Sequence, residues 1–422
     1  MIRARAPRAR LFLAAGVLVD PATWVAEGTI LVEGGRIRRI GVRVPRRGGA
    51  RVEDLRPAVL VPGLVDAHAH LDLTRNGTVP ARRGFADWIR GVLEARRSLR
   101  PREISKAVRD GAAAILARGG TSIADHDGAG WSLRGLAGGP CRALVLREAI
   151  APAPGEAEAE AGRAREWIEA FPPDPLRKPG LAPHAPYTVS PELYRRLARL
   201  AARHRIPVST HLAETPEETE LVLRGKGPLR DFLEERRRLP AGWRAPGMRP
   251  LAILEAAGAL GPRTLLVHAN ELSREECARV ARSGSTVVVC PGTHLHFGRA
   301  ATGIRRLHES GARLALGTDG RASNDRLDLF AEMARLRGIV PRMRAEDVFL
   351  AATRVGGEAL GLSPRAGTLA PGAAADFLAL DPPGRLDRRG LLAWLTEGRP
   401  AVRRVFLAGR PAPPPGRSPA PL

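Results

Sequence analysis

Residues 59–70 read VLVPGLVDAHAH, an apolar run over Val59–Ala67 closed by His68 and His70. A largely apolar run of this kind suits a strand covered on both faces, as in a parallel sheet flanked by helices. His68 and His70 stand two apart, so on an extended chain they face the same side and both imidazoles can reach one ion. The HxH pattern also arises by chance, and only its company elsewhere in the chain gives it weight.

Downstream the pattern repeats. Apolar runs at Thr121–Asp125, Arg142–Arg147, Gly180–His184, Pro207–His211, Thr264–His268, Ser285–Cys290 and Arg313–Gly317 alternate with stretches of 3.6-residue periodicity, the signature of βα repeats. With Val59–Ala67 they make eight strands, and the expected fold is an α/β (β/α)8 TIM-like barrel over residues 59–365. In such a barrel the C-terminal strand ends share one mouth. His68, His70, His184, His211, His268 and Asp319 all fall at or just beyond a strand end, so the fold would gather residues remote in sequence.

Outside that region the chain is β-like. Residues 1–58 contain LFLAAGVLVD (11–20) and TILVEGGRIRRIGV (29–42), with Gly34-Gly35 at a hairpin turn. Arginines ahead of Leu11–Val19 resemble a leader peptide, but Asp20-Pro21 and the following run Gly28–Val32 favour a first strand. After residue 365 come GTLAPGAAADFLAL (367–380) and AVRRVFLAGR (401–410), and the Pro-rich end PAPPPGRSPAPL (411–422) is expected to be disordered.

Composition narrows the partners. The chain has 422 residues, 44% hydrophobic and 26% charged, as in folded globular proteins, and no run approaches the roughly eighteen apolar residues of a membrane span. Its +23 charge would ordinarily suggest nucleic acid. However, the basic residues are nearly all arginine, with lysine only at 106, 178 and 226, and are spread along the chain in the manner of a codon bias. Aromatic residues at 4% leave few stacking platforms, so neither nucleic acid nor membrane is expected as a partner. Cys141, Cys277 and Cys290 form no CxxC pair, which points to a reducing cytoplasm and away from disulfides or thiolate zinc.

The chemistry lies at the strand ends. His211 closes PVSTH and Glu214 follows three residues later, which suits a metal ligand beside an acid/base group that need not touch the metal. His268 closes the next strand and Asp319 follows the last. Any one of these is as well explained as a satisfied polar residue; the set is not. A two-metal centre of this layout needs a bridging carboxylate, commonly a carbamylated lysine at the end of the fourth strand, and Lys178 precedes that strand. One ion is therefore expected. Three imidazoles and one carboxylate suit zinc and tolerate ferrous iron.

Taken in order, VPGLVDAHAH (61–70), LAPHAPYTVSPEL (181–193), STHLAETPEETE (209–220), LLVHAN (265–270), LALGTDGRASN (314–324) and GTLAPGAAADFLAL resemble the amidohydrolase superfamily, in its mononuclear cytosine-deaminase-like and chlorohydrolase-like branch. The resemblance covers almost all of the chain except the tail. FADWIRGVLEARR (85–97), HAPYTVSPEL (184–193) and CPGTHLHFG (290–298) are most similar to aminodeoxyfutalosine deaminases, while adenosine, S-adenosylhomocysteine and methylthioadenosine deaminases share HAPYT and HLAET.

The resemblance implies that His68, His70, His211 and Asp319 hold one divalent ion, Zn2+ first and Fe2+ as the alternative. Glu214, His268 and Asp319 would be catalytic, and His184 would lie beside the substrate. It also implies a composite β-sandwich built from residues 1–58 and 366–410. The implied reaction is hydrolytic deamination at C6 of an adenine-type base by metal-activated hydroxide, releasing ammonia, in the futalosine route to menaquinone. The partner would be a small purine nucleoside, with homo-oligomerisation left open. Asp87 and Trp88 are placed for ribose hydroxyls and a ring, or equally are the solvated and core positions of an amphipathic helix. Arg147 is the candidate fork for a substrate benzoate, and His126 and His296 are expected to be structural or supporting. Two positions depart from the family pattern: AHAH replaces AHTH, and His294 stands where many relatives have asparagine. The alternatives are an adenosine-type, S-adenosylhomocysteine, methylthioadenosine or guanine-type deaminase, a triazine chlorohydrolase, and a non-catalytic scaffold.

Overall fold

The computed structural model describes residues 9–45, 49–128, 130–362, 366–398 and 400–413. Eight parallel strands, Leu64–Ala69, Gly120–Asp127, Arg142–Ala149, Arg177–Pro183, Val208–Leu212, Thr264–His268, Thr286–Val289 and Arg313–Leu316, form one sheet in which each pairs with its neighbours in sequence. The last and first are joined at the mouth. Asp319 N–H donates to the His68 carbonyl at 3.0 Å and His70 N–H to the Asp319 carbonyl at 3.1 Å, a parallel bridge between Ala69 and Asp319. Gly317 permits this approach, since a Cβ there would stand 2.8 Å from both Cβ and the carbonyl oxygen of His68.

Val65, Leu144, Leu146, Leu265, Val267 and Val288, from strands on all sides, form one buried cluster that fills the barrel. Ile123, Val145, Leu181, Leu266, Val287 and Leu316 alternate with them and pack under the helices. This two-sided burial is why the strands read as largely apolar runs.

The run Val59–Ala67 is not a single barrel strand. Val59–Pro62 pairs antiparallel with Phe377–Leu380 and parallel with Gly16–Val17 in a second sheet, and the barrel strand starts only at Leu64. Pro62 lacks a backbone donor, and Gly63 lies so close to Thr121 that a Cβ would meet its hydroxyl at 2.3 Å, so the chain changes sheets there.

That second sheet has six strands, Gly16–Asp20, Thr23–Ala26 and Val59–Pro62 with Phe377–Leu380, Val402–Leu407 and Arg410–Pro411. A four-stranded sheet of Arg10–Leu13, Thr29–Glu33, Arg36–Gly41 and Arg51–Asp54 faces it. Phe12 of the smaller sheet sits edge-on to Phe377 and Phe406 of the larger, with centroids 5.0 and 5.1 Å apart, so both chain ends share one sandwich core. The leader-like run Leu11–Val19 lies in two of these strands. Pro411 pairs with Phe406, so the tail expected to be disordered from residue 411 begins as a strand; residues 414–422 lie outside the described residues. Among the described residues, no helix is long and apolar enough to cross a membrane.

Candidate metal centre and catalytic cavity

The chain leaves its strands at the mouth through left-handed backbone at non-glycine residues: Ala213 (φ 45°), His268 (φ 70°), Ala269 (φ 52°) and Asp319 (φ 57°). Such conformations carry strain and cluster where side chains must be aimed. His211 Nδ1 donates to the His184 carbonyl at 2.9 Å, which leaves the Nε2 lone pair free. That Nε2 lies 3.3 Å from His70 Nε2. Two nitrogens each 2.0–2.1 Å from a tetrahedral zinc stand about 3.3–3.4 Å apart, so the pair already has the spacing that a shared cation requires.

His68 Nε2 is 3.4 Å, and His70 Nε2 3.8 Å, from Asp319 Oδ1. Among the described residues neither ring nitrogen of the buried His68 has a hydrogen-bond partner. Burial pushes the His68 imidazole down and that of His70 well below the ordinary range, so both are neutral, the form that ligates a cation. Burial alone would raise Asp319, yet its contact with His68 and the surrounding imidazoles hold it well below the usual carboxylate range. Its other oxygen, Oδ2, accepts from Thr293 Oγ1 at 2.8 Å and Ser323 Oγ at 2.9 Å. Asp66, pushed up to about 7 by burial, accepts from Thr318 N at 3.0 Å and Oγ1 at 2.6 Å, locking the eighth strand to the first just below the site.

Glu214 is placed by its own loop. Both oxygens of the buried Glu218 accept backbone N–H groups, of Ala213 and of Glu214, at 2.9 Å, and Asn270 Nδ2 donates to the Glu214 carbonyl at 3.1 Å. Glu214 Oε2 then lies 3.7 Å from His268 Nε2, and Oε1 accepts from Arg299 Nη2 at 3.1 Å.

His70, His211, Glu214, His268 and Asp319 line one end of a cavity of about 280 Å³, with His184 and Tyr187 beside them. His184 Nδ1 pairs with Thr188 Oγ1 at 2.7 Å, and burial pushes its pKa down to about 4. An apolar wall of Phe85, Trp88, Ile89, Leu93, Phe232 and Leu233 faces them. The structure thus brings together His68, His70, His211, Asp319, Glu214, His268, His184 and Trp88. Trp88 is fixed by Nε1 donating to the Ala322 carbonyl at 3.3 Å and by stacking on Phe85 at 5.6 Å.

Two residues singled out in the sequence are not brought to the cavity. Asp87 lies on the helix Phe85–Arg97 one residue before Trp88, rotated about 100° away, and is not among the lining residues. Arg147 points to the helix layer, where Nη1 binds Glu160 Oε1 at 2.7 Å. The strand runs on to Ala149, and alternation turns the next residue, Glu148, into the cavity instead.

Glu148, Tyr187, Thr293, Ser323, Arg299 and the close approach of His126 were not anticipated. The His126 ring lies 4.4 Å from that of His68, with Nε2 on Ser209 Oγ at 2.9 Å. Strand alternation from Ala124 would have placed it inside. Among the described residues, three overlapping groups have metal-ligand spacing: His68, His70, His126 and His211; His68, His268 and Asp319; and Glu148, His184 and His211. Each contains His68 or His211, so the groups adjoin one another at the barrel mouth. Lys178 Nζ bonds the Gly361 carbonyl at 2.8 Å, at the opposite end of its strand from the mouth. His294 is buried but does not line the cavity.

The profile of the Amidohydrolase family matches residues 59–411. The chain belongs to this family. The amidohydrolase is 30% identical over 379 residues to the 5-methylthioadenosine/S-adenosylhomocysteine deaminase of Nitratidesulfovibrio vulgaris, covering 86% of this chain and 80% of the relative. It is 31% identical over 327 residues to the aminodeoxyfutalosine deaminase of Deinococcus radiodurans, covering 73% and 75% respectively. Among solved structures, an adenosine deaminase from Xanthomonas campestris with bound zinc superposes with a TM-score of 0.79 at 26% identity, over 97% of this chain and 93% of that one.

Proposed function

We propose that this amidohydrolase is a zinc-dependent deaminase that hydrolyses the C6 amino group of an adenine-type nucleoside, with aminodeoxyfutalosine as the first candidate substrate. The observation that carries the reading is that His70 and His211 Nε2 stand 3.3 Å apart, the spacing of two ligands on one tetrahedral ion, with Asp319 Oδ1 3.4 Å from His68 Nε2 and 3.8 Å from His70 Nε2, while Glu214 and His268 line the same cavity. A zinc ion held by these four residues would lower the pKa of a bound water from about 15.7 to about 7, supplying hydroxide at neutral pH.

The remaining steps belong to the chain's own residues. His268 Nε2 orients the attacking water, and Asp319 accepts its proton. Glu214 gives a proton to N1, which makes C6 electrophilic as the water oxygen adds to it. Glu214, now a carboxylate, takes the hydroxyl proton of the C6 adduct and passes it to the amino nitrogen; the C6–N bond breaks as C6=O forms, leaving a hypoxanthine-type base and ammonia, and the proton held by Asp319 returns to Glu214. Trp88 and Phe85 stack on the base, His184 meets its edge, and the wall of Ile89, Leu93, Phe232 and Leu233 takes the 5′ substituent. That apolar wall and the Nitratidesulfovibrio relative favour a second reading, methylthioadenosine or S-adenosylhomocysteine as substrate.

Ammonia release measured in parallel on aminodeoxyfutalosine, methylthioadenosine, S-adenosylhomocysteine, adenosine and guanine tests this. The highest kcat/KM should fall on aminodeoxyfutalosine. A preference for a thio-nucleoside replaces it with the second reading, and no turnover of any adenine nucleoside by zinc-loaded protein defeats both. In Glu214→Gln, zinc content should persist while turnover falls by about 10² to 10⁴.

A further inference from the structure

The loop after the seventh strand carries CPGTHLHFG (290–298), and of it the chemistry above uses only Thr293, through Asp319. Just beyond that motif stands Arg299. Its Nη2 donates to Glu214 Oε1 at 3.1 Å, and the two side chains are only 12% and 6% exposed. The guanidinium lies 4.4 Å over the ring of Phe297, while Nη1 is buried with no partner among the described residues. Arg299 does not line the cavity, so it acts from behind Glu214 and does not bind substrate.

We propose that Arg299 is a positioning residue for Glu214. The last torsion of a glutamate is soft, and its two oxygens exchange places readily. By occupying Oε1, Arg299 leaves Oε2, 3.7 Å from His268 Nε2, as the oxygen that carries protons between solvent nucleophile and base. The arginine is itself held: Phe297 packs edge-on to Trp88 at 5.1 Å and against Phe85 at 5.7 Å. The aromatic wall that grips the base and the cation that aims the acid/base group are therefore one packed unit. One loop thus orients both reacting carboxylates, Asp319 through Thr293 Oγ1 and Glu214 through Arg299.

The inference rests on the deaminase reading for its kinetic test but not for its structural one. Arg299→Met, Arg299→Lys, Glu214→Gln and the double variant Glu214→Gln/Arg299→Met are compared on whichever nucleoside of the panel the wild type turns over. A sub-ångström to 1 Å misplacement of a reacting group costs up to about 10²-fold. Arg299→Met should accordingly lower kcat about 10- to 100-fold, with KM within about threefold and zinc stoichiometry unchanged. Arg299→Lys, which keeps the charge, should recover part of that loss. Because the arginine acts through Glu214, the methionine substitution should change kcat less than about twofold in the Glu214→Gln background. An unchanged kcat in Arg299→Met, or the same loss in both backgrounds, overturns the proposal. If no nucleoside is turned over, the deaminase reading fails and crystal structures of the zinc-loaded wild type and Arg299→Met decide the matter alone. The Glu214 carboxylate should move or lose order in the variant, and an unmoved carboxylate overturns the positioning role.

Discussion

Asp319 presents Oδ1 to His68 and His70 while Thr293 and Ser323 hold Oδ2 at 2.8 and 2.9 Å. Thr293→Val replaces a buried hydroxyl by a methyl of similar size, and Ser323→Ala removes the second donor. A hydrogen bond to a charged acceptor contributes about 1.5–3 kcal/mol. If that loss falls on the orientation and charge of the ligand, each substitution weakens zinc binding about 10- to 100-fold, the range found for residues that support metal ligands. The two hydroxyls also stand 3.0 Å from each other, so they share protons and their effects should not multiply fully. The double variant is expected to lose less than the product of the two single losses, which for independent donors would be about 10²- to 10⁴-fold. Competition against a chromophoric chelator at fixed pH measures the zinc Kd of all three variants. A folded double variant that binds zinc as tightly as the wild type would remove Asp319 from the ligand set.

Other perturbations follow from the same geometry. Burial holds the Glu218 pKa up at about 8, so the folded state keeps a proton that the unfolded chain releases near its ordinary value. Stability from this group is full below about pH 4.5 and is lost as the pH rises through about 8. The Tm of the wild type minus that of Glu218→Gln should therefore decline between pH 5 and 9, and a flat or rising difference contradicts the assignment. Gly317→Ala brings a Cβ to 2.8 Å from His68 Cβ and O; it should cost about 1–3 kcal/mol of stability and lower the zinc content, both absent if the mouth is loose. Trp88→Ala should raise KM about tenfold with kcat nearly constant, as expected for uniform binding, and a selective fall in kcat would place Trp88 in the chemistry. Stripping zinc with a chelator should lower Tm and adding zinc restore it; an unchanged Tm would show that these imidazoles hold no ion.

Much of the barrel and of its centre is legible in the amino-acid sequence, for a physical reason in each case. Predominantly apolar strands with His68, His211 and His268 at or next to their ends betray a parallel barrel, because a strand buried on both faces is mostly apolar and its functional polar groups gather towards the mouth. Where the pattern misleads, the side chain's direction or the strand's partner is at issue. Arg147 and Glu148 differ by one position, and only the strand register says which of them enters the cavity. Asp87 and Trp88 are likewise separated by a single helical step. Val59–Ala67 reads as one strand, yet Phe377–Leu380, more than three hundred positions away, claims its first half.

The amino-acid sequence alone marked which histidines and carboxylates stand at strand ends, since ligand-type residues and the hydrophobic pattern are both properties of residue type. Tertiary structure decided which oxygen of each carboxylate faces which neighbour. Ser323 reaches Asp319 from four residues along the same loop, whereas Thr293 comes to Asp319, and Arg299 to Glu214, from the loop after the seventh strand. No local pattern encodes the meetings of Thr293 and Arg299 with these carboxylates, because they are contacts between separate strand-end loops, 26 and 85 positions apart in the chain.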